Sequence, residues 1–146
     1  MLSENLKATG KLKIELFDSS GALKASELID NLVVTSGLSY IASRMKDATA
    51  TAMTHMAIGA GTTAAALGDT ALGSELGRVA LTSTTVTTNS IAYVATFGAG
   101  VGTGAVTEAG ILNAVSAGTL LCRTVFSVVN KTSSDTLAIT WTVTVS

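Results

Sequence analysis

The chain has 146 residues, a formal net charge of −1, and charged residues at only 13%, against a usual figure of about 25%. That length suits a single domain (residues 1–146) with a real core, and the charge excludes the basic footprint that nucleic acid or an anionic membrane requires. One cysteine, Cys122, excludes an internal disulfide and a cysteine zinc site; within Leu120-Leu121-Cys122-Arg123 it reads as a buried, inert thiol.

Residues 1–7 have no apolar h-region, so no signal peptide is expected. Lys11-Leu12-Lys13-Ile14-Glu15-Leu16 alternates with period 2 and predicts a first strand with Leu12, Ile14 and Leu16 inward. Asp18-Ser19-Ser20-Gly21 is a turn by residue type, and residues 22–29 return as the second arm of a hairpin. The period then changes. Leu38, Ile41, Ala42 and Met45 fall at i, i+3, i+4 and i+7, which predicts one amphipathic helix over about residues 36–46, inside the segment from Thr35 to Asp47. Thr35 or Ser36 would cap it, Arg44 and Lys46 would favour its C-terminal end, and its apolar stripe would lie in the core.

After a short Ala/Thr linker, residues 54–58 read as a strand that ends in Gly59-Ala60-Gly61, followed by a loop carrying Asp69. Residues 78–86 and 91–97 predict a second hairpin, with Ile91, Tyr93, Ala95 and Phe97 on one face. Residues 98–106 read as a glycine loop, and 108–112, 119–126 and 136–145 as further strands. In the last of these Leu137, Ile139, Trp141, Val143 and Val145 point inward while Thr140, Thr142 and Thr144 point outward. Residues 79–107 carry no charge, but their period of 2 and their Thr, Asn and Gly content argue against a membrane span. The fold expected is mainly β: an antiparallel β-sandwich of about eight strands with one helix.

Charge is unevenly distributed: 12 of the 19 charged residues fall in the first 47 positions and 7 in the remaining 99. Outward threonines without Lys or Glu suit a neighbouring subunit better than open solvent. Isolated charges in an apolar region are costly to bury, so Glu75 with Arg78 and Glu108 with Arg123 are expected to act as structural ion pairs. A catalytic carboxylate pair of Glu108 with Glu75 or Asp69 lacks a nucleophile or cofactor motif beside it. Gly59-Ala60-Gly61-Thr62-Thr63 lacks the Gly-Lys-Ser/Thr ending of a phosphate loop, and the single histidine, His55, has no partners at ligand spacing. No catalytic, metal or cofactor site is expected.

Four motifs in order, Met56-Ala57-Ile58-Gly59-Ala60-Gly61, Glu75-Leu76-Gly77-Arg78, Glu108-Ala109-Gly110-Ile111-Leu112 and Gly118-Thr119-Leu120-Leu121, resemble the N-terminal collar-type domain of tailed-bacteriophage tail-fibre proteins. The segment Leu32-Val33-Val34-Thr35-Ser36-Gly37-Leu38 fits the same family, so the resemblance covers most of the chain. It implies a β-rich, non-enzymatic building block of the virion, assembled in the host cytoplasm. Tail fibres continue into a shaft and a receptor-binding tip; a free-standing copy implies an accessory subunit on the particle exterior. Capsid decoration (a cement protein) is favoured, with a tail-fibre, neck or baseplate adaptor as the alternative. The partners implied are other virion proteins, capsid or tail subunits, and further copies of the chain, with a trimer expected by analogy with fibre and cement proteins. A rival class is a host glycan or receptor adhesin acting through residues 59–69 and 98–107. Only six aromatic residues, most on apparent core faces, weigh against the platforms that sugar sites usually present.

Overall fold

A computed structural model describes residues 6–46 and 50–146. Asp47, the end of the predicted helical segment, positions 48 and 49 of the linker, and residues 1–5, where no signal peptide was expected, lie outside the described residues. Strands β1 (Ala8–Phe17) and β2 (Leu23–Val33) form the first hairpin, with Leu12 opposite Ile29 and Ile14 opposite Glu27. The Asp18 carboxylate builds its turn, accepting hydrogen bonds from the Ser20 and Ala22 amides and the Ser20 hydroxyl. Gly21 supplies the positive φ, +86°, that such a turn needs. Leu12, Ile14 and Leu16 are buried.

Seven more strands follow: β3 (His55–Gly59), β4 (Glu75–Ala80), β5 (Ser83–Thr87), β6 (Ser90–Phe97), β7 (Gly104–Leu112), β8 (Leu120–Lys131) and β9 (Thr136–Val145). All pairings are antiparallel, and the order across the sheet is β4-β3-β7-β8-β2-β1-β9-β6-β5. The sheet curls into a half-barrel. β2 is the hinge of that curl: it pairs with β1 along its length, but with β8 only at Leu32 and Val33. One core therefore joins both halves, with Met56, Ile58 and Ile111 from one and Phe97, Leu137, Ile139, Trp141, Val143 and Tyr93 from the other.

Mainly β and antiparallel, the fold has one helix and nine strands among the described residues, where about eight strands were expected. The extra strand comes from residues 78–86, read from sequence as one arm. The chain breaks after Ala80: residues 78–80 belong to β4 at one edge of the sheet, and Ser83–Thr87 form β5 at the other. The 98–106 loop is also shorter than expected. It turns over 98–103, with Gly100 and Gly102 at positive φ, and Gly104 already starts β7.

The helix α1 (Thr35–Arg44) departs most from expectation. Leu38 and Met45 are 45% and 77% exposed and Ala42 is exposed, so these three do not join the core; Ile41 is half-buried and packs against it together with Tyr40. The cause is Gly37, the one fully buried residue of the helix: a Cβ there would collide with the Leu121 carbonyl. Backbone-to-backbone approach at Gly37 turns the face of Gly37, Tyr40 and Ile41 toward β8, one position away from the stripe of larger side chains. The N-cap is Val34, without a side-chain cap. Ser36 Oγ donates instead to the Leu120 carbonyl at 2.7 Å, and the Thr35 amide to Leu67 O at 2.8 Å. This rotation predicts opposite outcomes at adjacent positions: Gly37→Val loses about 1–3 kcal/mol through overpacking, whereas Leu38→Ser stays within about 0.5 kcal/mol. Urea denaturation of both variants checks it.

Candidate functional site: ion-paired loops beside a neutral sheet face

All seven charged residues beyond position 47 fasten a loop or a turn. Glu108 is the centre of the largest group. A register shift between Val106 and Glu108 lets Val106 face the core while Glu108 faces the outer side of β7, together with Leu112. Arg123 lies opposite Gly110 on β8, so it is the diagonal neighbour of Glu108 on the same face, within reach of two long side chains. Arg123 Nε donates to Glu108 Oε2 at 2.9 Å, and Nη2 stands 2.8 Å from the same oxygen.

The other donors to Glu108 come from the 60–74 loop. The amides of Gly61 and Ser74 reach Oε1 at 2.9 and 2.7 Å, and that of Gly73 reaches Oε2 at 2.9 Å. Arg123 is fastened to the same loop, with Nη1 on Asp69 Oδ2 at 2.8 Å and Nη2 on the Thr63 carbonyl at 3.1 Å. Thr107 Oγ1 donates to Gly61 O, and the Ala60 amide to Ser74 O. Under the loop Leu72 packs against Val34, Ala57, Leu112 and Leu120, and a Cβ on Gly110 would meet it at 2.7 Å. The glycines at 59 and 61 have the same spatial reason, since a side chain at either would strike the Glu108 carboxylate.

Glu108 is fully buried and Arg123 is 2% exposed. Burial alone would raise the Glu108 pKa, but the Ser74 and Gly73 amides, the guanidinium and the Gly61 amide together outweigh it and hold the carboxyl below its ordinary value. Asp69 is also lowered, first by the Ala66 amide and then, against some burial, by Arg123. A carboxylate with both oxygens fully engaged and no solvent access has nothing to offer a substrate. The chemistry of this cluster is adhesion of a loop.

The remaining four charges act alike. Arg78 pairs with Glu75 at 2.7 Å and donates Nη1 to the carbonyls of Ala114 and Ala117, which holds the β7–β8 turn. In that turn Ala117 and Gly118 both take positive φ. Lys131 is buried and donates to Gly98 O at 2.9 Å, holding the 98–103 turn; burial depresses its pKa, partly offset by Asp135. Asp135 accepts the Lys24 ammonium and the Thr132 amide, both at 2.8 Å, which ties the β8–β9 turn to β2. The Lys24 hydrogen bond is the main cause that holds the Asp135 carboxyl down at about 2.

Sequence reasoning paired Glu75 with Arg78 and Glu108 with Arg123, and the structure brings both pairs together. The structural roles of Asp69, Lys131 and Asp135 are not evident from the sequence; Asp69, a catalytic candidate there, meets Arg123 instead. Their signal was scarcity: in so neutral a region any charge needs a partner. Cys122 is buried, its thiol pushed well up by burial, and His55 Nδ1 lies 2.8 Å from Thr54 Oγ1. Among the described residues no cluster of three or more His, Cys, Asp or Glu is placed to hold a metal ion, and no helix is long and apolar enough to cross a membrane.

With these charges spent on loops, the outer face of β5, β6 and β9 carries none. The registers align its rows: Thr87, Ser90 and Thr144; Thr85, Ala92 and Thr142; Ser83, Val94 and Thr140. Charge begins on the next strand, where Lys11 and Lys13 of β1 flank Thr142 and Thr140. A shallow hollow of about 710 Å³ crosses this border, between the threonines of β9 and Lys11, Lys13, Glu15 and Asp30. Comparison with known protein families, curated proteins and solved structures found no match to this chain.

Breaking the buried pair through Glu108→Gln should cost about 3–5 kcal/mol in urea denaturation, whereas Glu75→Gln at the more exposed pair costs under about 1 kcal/mol. Asp135 binds its proton more weakly folded than unfolded, so its contribution is complete above the ordinary aspartate value of 3.8 and is lost as pH falls from there to about 2. Lys24→Met should therefore be less stable than the parent at neutral pH, with a gap that closes across that window when denaturation is followed against pH.

Proposed function

We propose that the chain is a non-enzymatic structural subunit of a bacteriophage virion, seated on the particle exterior as a capsid decoration protein. The observation that carries the assembly part of this reading is the uncharged outer face of β5, β6 and β9, which ends at an open sheet edge. A surface of Ser, Thr, Ala and Val lets backbones approach closely and desolvates no charge, as a subunit contact requires. Solvated faces of soluble proteins usually mix both signs of charge.

The phage assignment rests on the resemblance of the four motifs, and the fold supplies a shared reason for their spacing. Gly59 and Gly61 clear space for Glu108, Arg78 holds the β7–β8 turn, Gly110 makes room for Leu72, and Gly118 turns the chain into β8. All serve the fastening of loops to the outer side of β3, β7 and β8. A subunit on a particle surface benefits from long loops that are clamped flat.

Immunogold electron microscopy with antiserum to this chain, applied to gradient-purified particles of the phage that encodes it, tests the proposal. Label over the head is expected; label confined to the tail, neck or baseplate would make it an adaptor. A chain present in the lysate and absent from purified particles would overturn the virion reading.

A further inference from the structure

We infer that β5 is a homotypic docking edge, through which two copies of this chain pair their β5 strands antiparallel about a two-fold axis and join their sheets. The inference rests on the subunit reading for its purpose, but its evidence is the edge itself.

An edge strand presents a row of unpaired backbone N–H and C=O groups, and proteins blunt such edges with charge, proline, bulges or a covering segment. Among the described residues β5 pairs with β6 alone, and the pairing runs from Ser83 opposite Val94 to Thr87 opposite Ser90 without a bulge. Its five residues, Ser83, Thr84, Thr85, Val86 and Thr87, are all exposed, Val86 to 70%. None is charged and none is proline. What such an edge fits is another extended strand, because only a strand matches its spacing of donors and acceptors.

The opposite edge is different. β4 carries Glu75 and Arg78, and the curl of the sheet brings it against β6 and the 98–103 turn. The approach is so close that a Cβ on Gly77 would stand 2.9 Å from the Gly102 amide nitrogen. Ring-forming or fibre-forming contacts require one edge to meet a different edge on the next copy. The charges of Glu75 and Arg78 blunt the β4 edge, so β5 is the neutral edge left to meet β5, and like-with-like pairing is two-fold. The seam predicts a two-fold assembly where analogy with fibre and cement proteins suggests a trimer.

Centred on Thr85, the pairing sets Thr85 against its own copy, Thr84 against Val86 and Ser83 against Thr87. No like charges oppose one another, and Thr–Thr and Thr–Val pairs are favourable cross-strand neighbours. Val86 shares the inner side with Ile91 and Tyr93 at the mouth of an apolar cavity of about 280 Å³, so the seam covers an exposed valine there. On the other side the neutral outer face continues across the axis.

Sedimentation equilibrium of the full chain and of Thr85→Lys and Thr85→Glu tests the seam. Thr85 is exposed and faces outward, so the monomer tolerates either charge, which circular dichroism checks. The parent is expected to be a dimer, each variant a monomer, and an equimolar mixture of the two a dimer again, since lysine then faces glutamate across the axis. A parent that stays monomeric at submillimolar concentration overturns the inference, as it would if β5 waits for a strand of a different virion protein. Variants as dimeric as the parent, or a mixture that stays monomeric, overturn it too. Immunogold labelling of particles separates the two readings. A chain that dimerises through β5 yet labels no particle supports the seam and sinks the virion assignment; a monomeric parent that labels particles does the reverse.

Discussion

A single buried carboxylate, Glu108, organises half of this protein. Its two oxygens receive Arg123 from the neighbouring strand and the amides of Gly61, Gly73 and Ser74 from both ends of one long loop. Burying a charge without partners would cost several kcal/mol, so the arrangement holds together as a whole or not at all. Because it holds, the 60–74 loop covers the outer side of β3, β7 and β8, and Leu72 closes a second small core over Ala57, Leu112 and Leu120. That half of the sheet is then sheltered on both faces. The other half, β6 and β9 with β1 and β2, is sheltered on the inner face only, and β5 at its edge is exposed on both.

This asymmetry connects composition to function. Every charge beyond residue 47 is used to fasten a loop or turn, which leaves the outer face of β5, β6 and β9 without any. A neutral, small-residue surface is poorly suited to a free monomer and well suited to an interface. The proposed role as a particle subunit and the two-fold seam at β5 are two consequences of the same economy of charge.

Most of the fold was legible because period 2 is a direct imprint of a half-buried strand. β1, β6 and β9 show it, from Leu12, Ile14 and Leu16 through Tyr93, Ala95 and Phe97 to Leu137, Ile139 and Trp141, all of them buried. The helix was legible as a helix, but its rotation was not. Apolar periodicity ranks Leu38 and Met45 above a glycine, while docking was decided by how closely the Gly37 backbone can approach Leu121. The break after Ala80 was hidden because β4 and β5 lie adjacent in sequence and at opposite edges of the sheet. The pairing of Glu108 with Arg123 could be read from the β7–β8 hairpin. The amides that complete the site could not, since backbone donors carry no residue signature and their approach depends on the whole path of the 60–74 loop.

The central claim is that the Glu108 carboxylate clamps that loop to the sheet, and amide hydrogen exchange at Gly61, Gly73 and Ser74 tests it most directly. The clamp predicts protection at these three loop amides comparable to that of the core strands β7 and β8, lost selectively in Glu108→Gln while β1 and β9 stay protected. Exchange at these positions as fast as at the exposed residues of the Asp18–Gly21 turn would contradict it.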